Sequence, residues 1–257
     1  MSMNSIDARD GDTRDEDARD GAAVSFAQTT PVVCFDRVSL GADEAPYLRG
    51  LSFSLAPGSF HVLTGASGCG KTSVLNLICL AARPAAGRVQ LFGRDTATVG
   101  RKAVCLFRRR MGLVFEEEHL QEHLTVFANA ALVPRVVGRR RRDYAPEVAQ
   151  ILVWVGLGKK MAALPGALSA SERRRLAIAR AVANRPEILL ADEPTGGLDD
   201  DAVIQVLRLL AELNSAGTTV LMASRDEELA AGSGAPVLHL HEGRLRLVDG
   251  FDPAPAP

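Results

Sequence analysis

Apolar positions along this chain follow two rhythms, separated by polar punctuation. Short, mostly apolar runs bounded by glycine, proline or charged residues read as strands. They are Val32–Val38, Leu51–Leu55, Phe60–Leu63, Arg88–Phe92, Met111–Phe115, Ile188–Ala191, Thr218–Ala223 and Val237–Leu240. Longer stretches carry the helical period: Tyr144–Val155 places Val148, Ile151, Leu152 and Val155 on one face. Ser73–Ile78 and Asp200–Leu213 read as helices, and little but helix is expected from Thr125 to about residue 166. Strands alternating with helices predict an α/β domain over 31–250, with a helical subdomain inserted near 108–170. Residues 1–30 are polar and acid-rich, with Ala-Arg-Asp-Gly occurring at Ala8–Gly11 and again at Ala18–Gly21. Such a segment cannot bury enough apolar surface to fold, so a disordered tail is expected there and a flexible one over 251–257.

Composition narrows the class. The 257 residues are 47% hydrophobic and 24% charged, with a formal net charge of −1, as in ordinary globular domains. No global field points to nucleic acid, and the Arg139–Arg142 run has no stacking aromatics beside it. It reads as a solvated helix start, and no nucleic-acid partner is expected. Cys34, Cys69, Cys79 and Cys105 have neither C-x-x-C spacing nor partner histidines, so incidental thiols are expected. No apolar run approaches the roughly 18–20 residues that span a bilayer, and the N-terminus does not resemble a signal peptide. The expected location is cytoplasmic, with any membrane association made through a partner.

The chemistry is carried by two segments. Gly65-Ala66-Ser67-Gly68-Cys69-Gly70-Lys71-Thr72 fits G-x-x-x-x-G-K-[ST], with an apolar strand leading in and a helix, from Ser73, leading out. Such a loop wraps backbone N–H groups and a helix N-terminus around phosphates. Lys71 is placed to reach the β- and γ-phosphates, and Thr72 to hold Mg²⁺. The run Ile188-Leu189-Leu190-Ala191-Asp192-Glu193 is a buried strand ending in two carboxylates. Asp192 is suited to orient Mg²⁺ and Glu193 to polarise an attacking water.

On these residues the chain resembles ABC-type ATPase subunits. LSASERRRLAIARAVANRP, from Leu168 to Pro186, is similar to the family's signature helix, and DEPTG-x-LD to its second acidic motif and D-loop. The stretches LTGASGCGKTS, MGLVF, HLTVFANAAL, WVGLG, ALPGALS and NSAGTTVLMAS resemble the FtsE group of cell-division ATP-binding proteins. ATPases of lipoprotein release and macrolide export are near cousins. The resemblance covers about residues 32–248. It implies a P-loop NTPase (ABC ATPase) core with an N-terminal antiparallel β subdomain and an inserted helical subdomain. It also implies a homodimer that sandwiches two ATPs with Mg²⁺, Ser169, Ser171 and Asp199 of one subunit facing the nucleotide of the other. The implied partner is an FtsX-like membrane permease, at the inner face of a bacterial plasma membrane. An exporter motor and an ATP-binding protein with little turnover are the alternative roles.

Four features depart from the family pattern. Glu116 stands where the Q-loop glutamine is expected, and Arg225 where the switch histidine is expected. Ala170 and Ser171 replace the signature glycines, adding bulk where a backbone approaches phosphate. The aromatic that stacks on adenine is missing: Leu40-Gly41-Ala42 occupies its region and Tyr47 comes several residues late. That loss predicts weaker base binding by ~1–3 kcal/mol. The resemblance puts Glu116 and Arg225 near the γ-phosphate, as catalytic candidates beside Glu193. Their formal charges cancel, so they are expected to be coupled, and an arginine that exchanges no proton near neutral pH predicts slow hydrolysis. Phe115, Leu120, Leu124 and Phe127 are expected to line a permease-facing groove or to belong to the helical core.

Overall fold

The computed structural model describes residues 30–42 and 45–248; of the two expected tails, residues 1–29 of 1–30 and all of 251–257 lie outside the described residues. An antiparallel sheet is built from β1 (Val33–Ala42), β2 (Ala45–Leu55), β4 (Ala86–Leu91) and β5 (Arg94–Asp95), in the order β2-β1-β4-β5. A second sheet holds β3 (Phe60–Thr64), β6 (Met111–Val114), β7 (Ile188–Asp192), β8 (Thr219–Ser224), β9 (Val237–His241) and β10 (Arg244–Val248). Its order is β10-β9-β3-β8-β7-β6, and every pairing is parallel except β9 with β10. The helices are α1 (Lys71–Ile78), α2 (Arg101–Arg108), α3 (Val126–Ala130), α4 (Leu132–Val136), α5 (Arg141–Trp154), α6 (Ala170–Val182), α7 (Asp200–Ser215) and α8 (Glu227–Gly232).

The inner parallel strands are apolar at consecutive positions because both of their faces are covered. Successive side chains point to opposite faces, and the core divides accordingly. Val62, Leu189, Ala191, Val220, Met222 and Val237 join one apolar cluster with Val148, Leu152, Leu176, Ile178, Val206 and Leu210 of the helices. Leu63, Ile188, Leu190, Leu221, Ala223, Leu238 and Leu240 join the other, with α1 and the inward face of the antiparallel sheet. Each fully buried Leu, Ile or Val contributes roughly 1.5–3 kcal/mol. Shifting a parallel strand by one residue would exchange the two faces, so the register that brings the strand ends level is strongly specified.

The α/β architecture with its antiparallel subdomain matches the expected fold class. The strand expected over Met111–Phe115 is β6, which pairs with β7 at the sheet edge, and the helices expected from Thr125 start at Val126. Within that segment Leu120 is core and Phe127 packs against the same cluster, whereas Phe115 is 40% exposed.

Candidate functional site

All the candidate groups arise where parallel strands end. The phosphate loop follows β3, Arg225 follows β8, Asp192 and Glu193 close β7, and Glu116 lies just beyond β6. These four strands are consecutive neighbours in the sheet, so segments far apart in sequence meet along its carboxyl edge. That edge is where open α/β sheets take their ligands. A cavity of about 260 Å³ lies there, lined by Ser67, Gly68, Gly70, Lys71, Thr72, Ser73, Glu116, Asp192, Glu193 and Arg225. A larger groove of about 670 Å³, between α5 and α7 beside Trp154 and Leu213, carries none of the phosphate-binding groups.

The loop is shaped by backbone that only glycine tolerates. Gly65 has φ +142, and a Cβ there would sit 2.2 Å from the Leu240 carbonyl oxygen. Gly70 caps the start of α1 in the left-handed region, φ +108, without any side-chain cap. The first N–H groups of α1 therefore face the cavity rim with no capping side chain of their own residue set. Lys71 is buried, and its ammonium donates to the carbonyl oxygens of Gly65 (2.7 Å) and Ala66 (3.2 Å). It thus arches back over the loop into which phosphates fit.

The carboxylates face this loop. The Thr72 hydroxyl donates to Asp192 Oδ2 at 2.7 Å. Burial pushes the Asp192 carboxyl above its ordinary range; the Thr72 hydrogen bond pulls the other way, the charge of Glu116 adds to the rise and that of Lys71 lowers it. Glu193 is a buried non-glycine residue at φ +46, held by its N–H to the Ala223 carbonyl at 2.9 Å. Left-handed backbone at such a residue costs of order 1–3 kcal/mol and persists where the surroundings over-determine it. The turn directs its carboxylate to Lys71 Nζ, 3.8 Å from Oε1.

Glu116 and Arg225, expected near one another, are brought together: Arg225 Nη2 donates to Glu116 Oε1 at 3.2 Å. Arg225 Nε also lies 3.7 Å from Glu193 Oε2. The loop carrying Glu116 is tied down by three arginines of α6. Arg174, 4% exposed, donates to the Phe115 carbonyl and faces Glu118; Arg173 pairs with Glu122; Arg180 donates to the carbonyls of Glu118 and His119. Sequence reasoning passed over these arginines, although a run of cations on a helix facing the Glu116-Glu117-Glu118 cluster was a visible signal.

Ser169, Ser171 and Asp199 do not line the cavity. Ser169 is the N-cap of α6 in a capping box with Glu172, and its hydroxyl is 3.2 Å from that of Ser171. Asp199 caps α7 through the Ala202 N–H. Tyr47, expected to come several residues late for the site, lies beside the phosphate loop. Its hydroxyl is 3.4 Å from Ser73 Oγ, its ring lies against Gly41, and half of the side chain is exposed at the rim of the loop. Among the described residues no helix is long and apolar enough to cross a membrane.

The ABC transporter family model matches residues 48–196. The chain is 40% identical over 217 residues to the "Cell division ATP-binding protein FtsE" of Escherichia coli K12, covering 83% of this chain and 97% of that protein. It is 35% identical over 196 residues to the Bacillus subtilis protein of the same name, covering 76% and 86% respectively. Among solved structures, the ATP-binding cassette MJ0796, a dimer in a post-hydrolysis state bound to ADP and Pi, superposes with a TM-score of 0.74 at 29% identity, covering 86% of this chain and 99% of that one. CbiO1 of Clostridium perfringens, part of an ABC transporter complex, shares the fold with a TM-score of 0.77 at 22% identity over 84% and 87%.

Proposed function

The chain belongs to the ABC transporter family, and on that premise we propose that it is an FtsE-like subunit that binds and hydrolyses ATP to drive a membrane permease in cell division. The observation that carries the reading is the convergence at one sheet edge of a buried lysine, a threonine–aspartate pair and a buried glutamate. The loop from Gly65 to Ser73 holds the β- and γ-phosphates with backbone N–H groups and Lys71. A hard divalent cation suits the oxygen pair made by the Thr72 hydroxyl and the Asp192 carboxylate, 2.7 Å apart. Mg²⁺ takes few protein oxygens and shares the rest of its shell with water and phosphates. Bound there, it supplies charge neutralisation for the transferring phosphoryl group. Glu193 accepts a hydrogen bond from the attacking water and orients it in line with the leaving group. The exposed face of Tyr47 takes the adenine, in the role of the missing aromatic.

Ser169, Ser171 and Asp199 act across a head-to-tail dimer, where each subunit closes the nucleotide of the other; the dimeric state of MJ0796 supports this reading. Ala170 and Ser171 make that closure looser, and turnover slower, than two glycines would. The permease is FtsX-like, and it holds the subunit at the inner face of the plasma membrane. Steady-state phosphate release by the purified chain, alone and with the permease, tests the proposal. The expected result is MgATP-dependent release that Glu193→Gln lowers about 100-fold or more. Equal release from the two proteins under both conditions rules the reading out.

A further inference from the structure

The side chain of Arg225 touches two carboxylates at once. Its Nη2 is 3.2 Å from Glu116 Oε1, and its Nε is 3.7 Å from Glu193 Oε2. The other oxygen of Glu193 is 3.8 Å from Lys71 Nζ. Glu193 is therefore held between two cations, one per oxygen. Lys71 is fixed, being buried and bonded to the loop carbonyls. Arg225 is 54% exposed, and Glu116 is its second anchor.

The charges along the cavity give this geometry a sign. Lys71 and Arg225 face Glu116, Asp192 and Glu193, which leaves one net negative charge in a space meant for phosphates. Neutralising Arg225 leaves two. Neutralising Glu116 leaves none, and neutralising both restores the original balance. The Glu116–Arg225 pair is half-exposed, so it contributes little to folding. Its effect is on what enters the cavity and on where Glu193 points.

We propose that Glu116 and Arg225 form one charge-compensated unit in which Arg225 is a positioning residue for Glu193 and Glu116 sets the resting place of Arg225. When a terminal phosphate arrives, the guanidinium faces that phosphate and Glu193 together, and Glu116 offsets the surplus positive charge. A histidine–glutamine pair would be neutral at both positions. This chain keeps the same sum with two full charges, which reach further than dipoles. The inference rests on the ATPase reading above.

The two roles separate in a double-mutant cycle of Arg225→Gln and Glu116→Gln. It is read by equilibrium binding of a fluorescent ATP analogue with Mg²⁺ and by steady-state phosphate release. Arg225→Gln weakens nucleotide binding about tenfold and Glu116→Gln tightens it several-fold, while the double variant returns to within about twofold of wild type. The fall in kcat behaves differently. It is about tenfold with Arg225→Gln in either background, because restoring net charge does not restore the second anchor on Glu193. A double variant that binds as weakly as Arg225→Gln alone overturns the proposal, as does a kcat that recovers in the double variant. A melting temperature that falls in step with affinity also overturns it, by making the pair structural. Wild-type chain that fails to bind the ATP analogue overturns the ATPase reading itself, a different result from any of these.

Discussion

The two sides of the cavity are made of different material. On the β3 side the chain presents backbone: glycines at positive φ, a helix N-terminus and a lysine turned back on its own loop. On the β6–β8 side it presents side chains from three separate strand ends, held by ion pairs across the sheet edge. The first side is fixed by eight consecutive residues, and a Cβ at Gly65 collides with main chain. The second is assembled over long range, and its half-exposed members, Glu116 and Arg225, can be exchanged as long as the charges balance, whereas Asp192 and Glu193 are buried. The grip on phosphate is rigid, and the chemistry next to it is adjustable.

That contrast breaks most readily on the backbone side. Gly65→Ala puts a Cβ 2.2 Å from the Leu240 carbonyl, which cannot retreat as a side-chain tip would. ATP affinity is expected to fall about 100-fold or more, with stability lowered by about 2–4 kcal/mol; titration of the nucleotide and a thermal melt check both. A wild-type affinity would show that the loop is not rigid. Next in size is Tyr47→Ala, which removes the ring and is expected to weaken ATP by ~1–3 kcal/mol, read by competition against the fluorescent analogue. Tyr47→Phe keeps the ring and loses only the 3.4 Å contact with Ser73, so it retains most of the affinity. If Tyr47→Ala leaves inorganic tripolyphosphate binding unchanged while weakening ATP, the ring acts on the base alone.

The smallest effect concerns the strand that feeds the loop. His61 in β3 has its pKa lowered by burial, and its Nδ1 has no hydrogen-bond partner among the described residues. A base whose folded pKa lies below its unfolded value binds more protons when unfolded, so stability rises with pH across the window below about 6.5. Denaturant melts between pH 5 and 7.5 are expected to show this slope at under about 1 kcal/mol, and His61→Leu to flatten it. A slope unchanged by the substitution would place its origin elsewhere.

How much of this was legible beforehand follows from the same division. The strands buried on both faces announced themselves as apolar runs, and the phosphate loop carries its meaning in a local motif. Two elements packed on one face did not. In β10, Arg244-Leu245-Arg246-Leu247-Val248 alternates with arginine, and α2 buries only Phe107 among charged neighbours. Glu116 and Arg225 were legible as departures from the family, but their contact with Glu193 depends on strand order, which no spacing contains. The place of Tyr47 beside Ser73 was not legible, for a local reason. The pairing of β1 with β2 slips at three places between Phe35 and Gly41, so residue counting from β1 misplaces the ring. Gly41, at φ +130, lets the chain pass beneath that ring, where a Cβ would meet Tyr47 Cδ1 at 3.0 Å.

The arginines of α6 have a mechanical consequence. The helix spans 13 residues, a stiff rod of about 20 Å. Its first turn carries Ser169 and Ser171, and its flank carries Arg173, Arg174 and Arg180, which grip the segment from Phe115 to Glu122 at several points. Rod and segment therefore travel together. In the proposed assembly one end of this lever answers to the second subunit and the gripped segment to the permease. In that assembly a push from either direction would arrive at Phe115, the chain neighbour of Glu116 at the lip of the cavity.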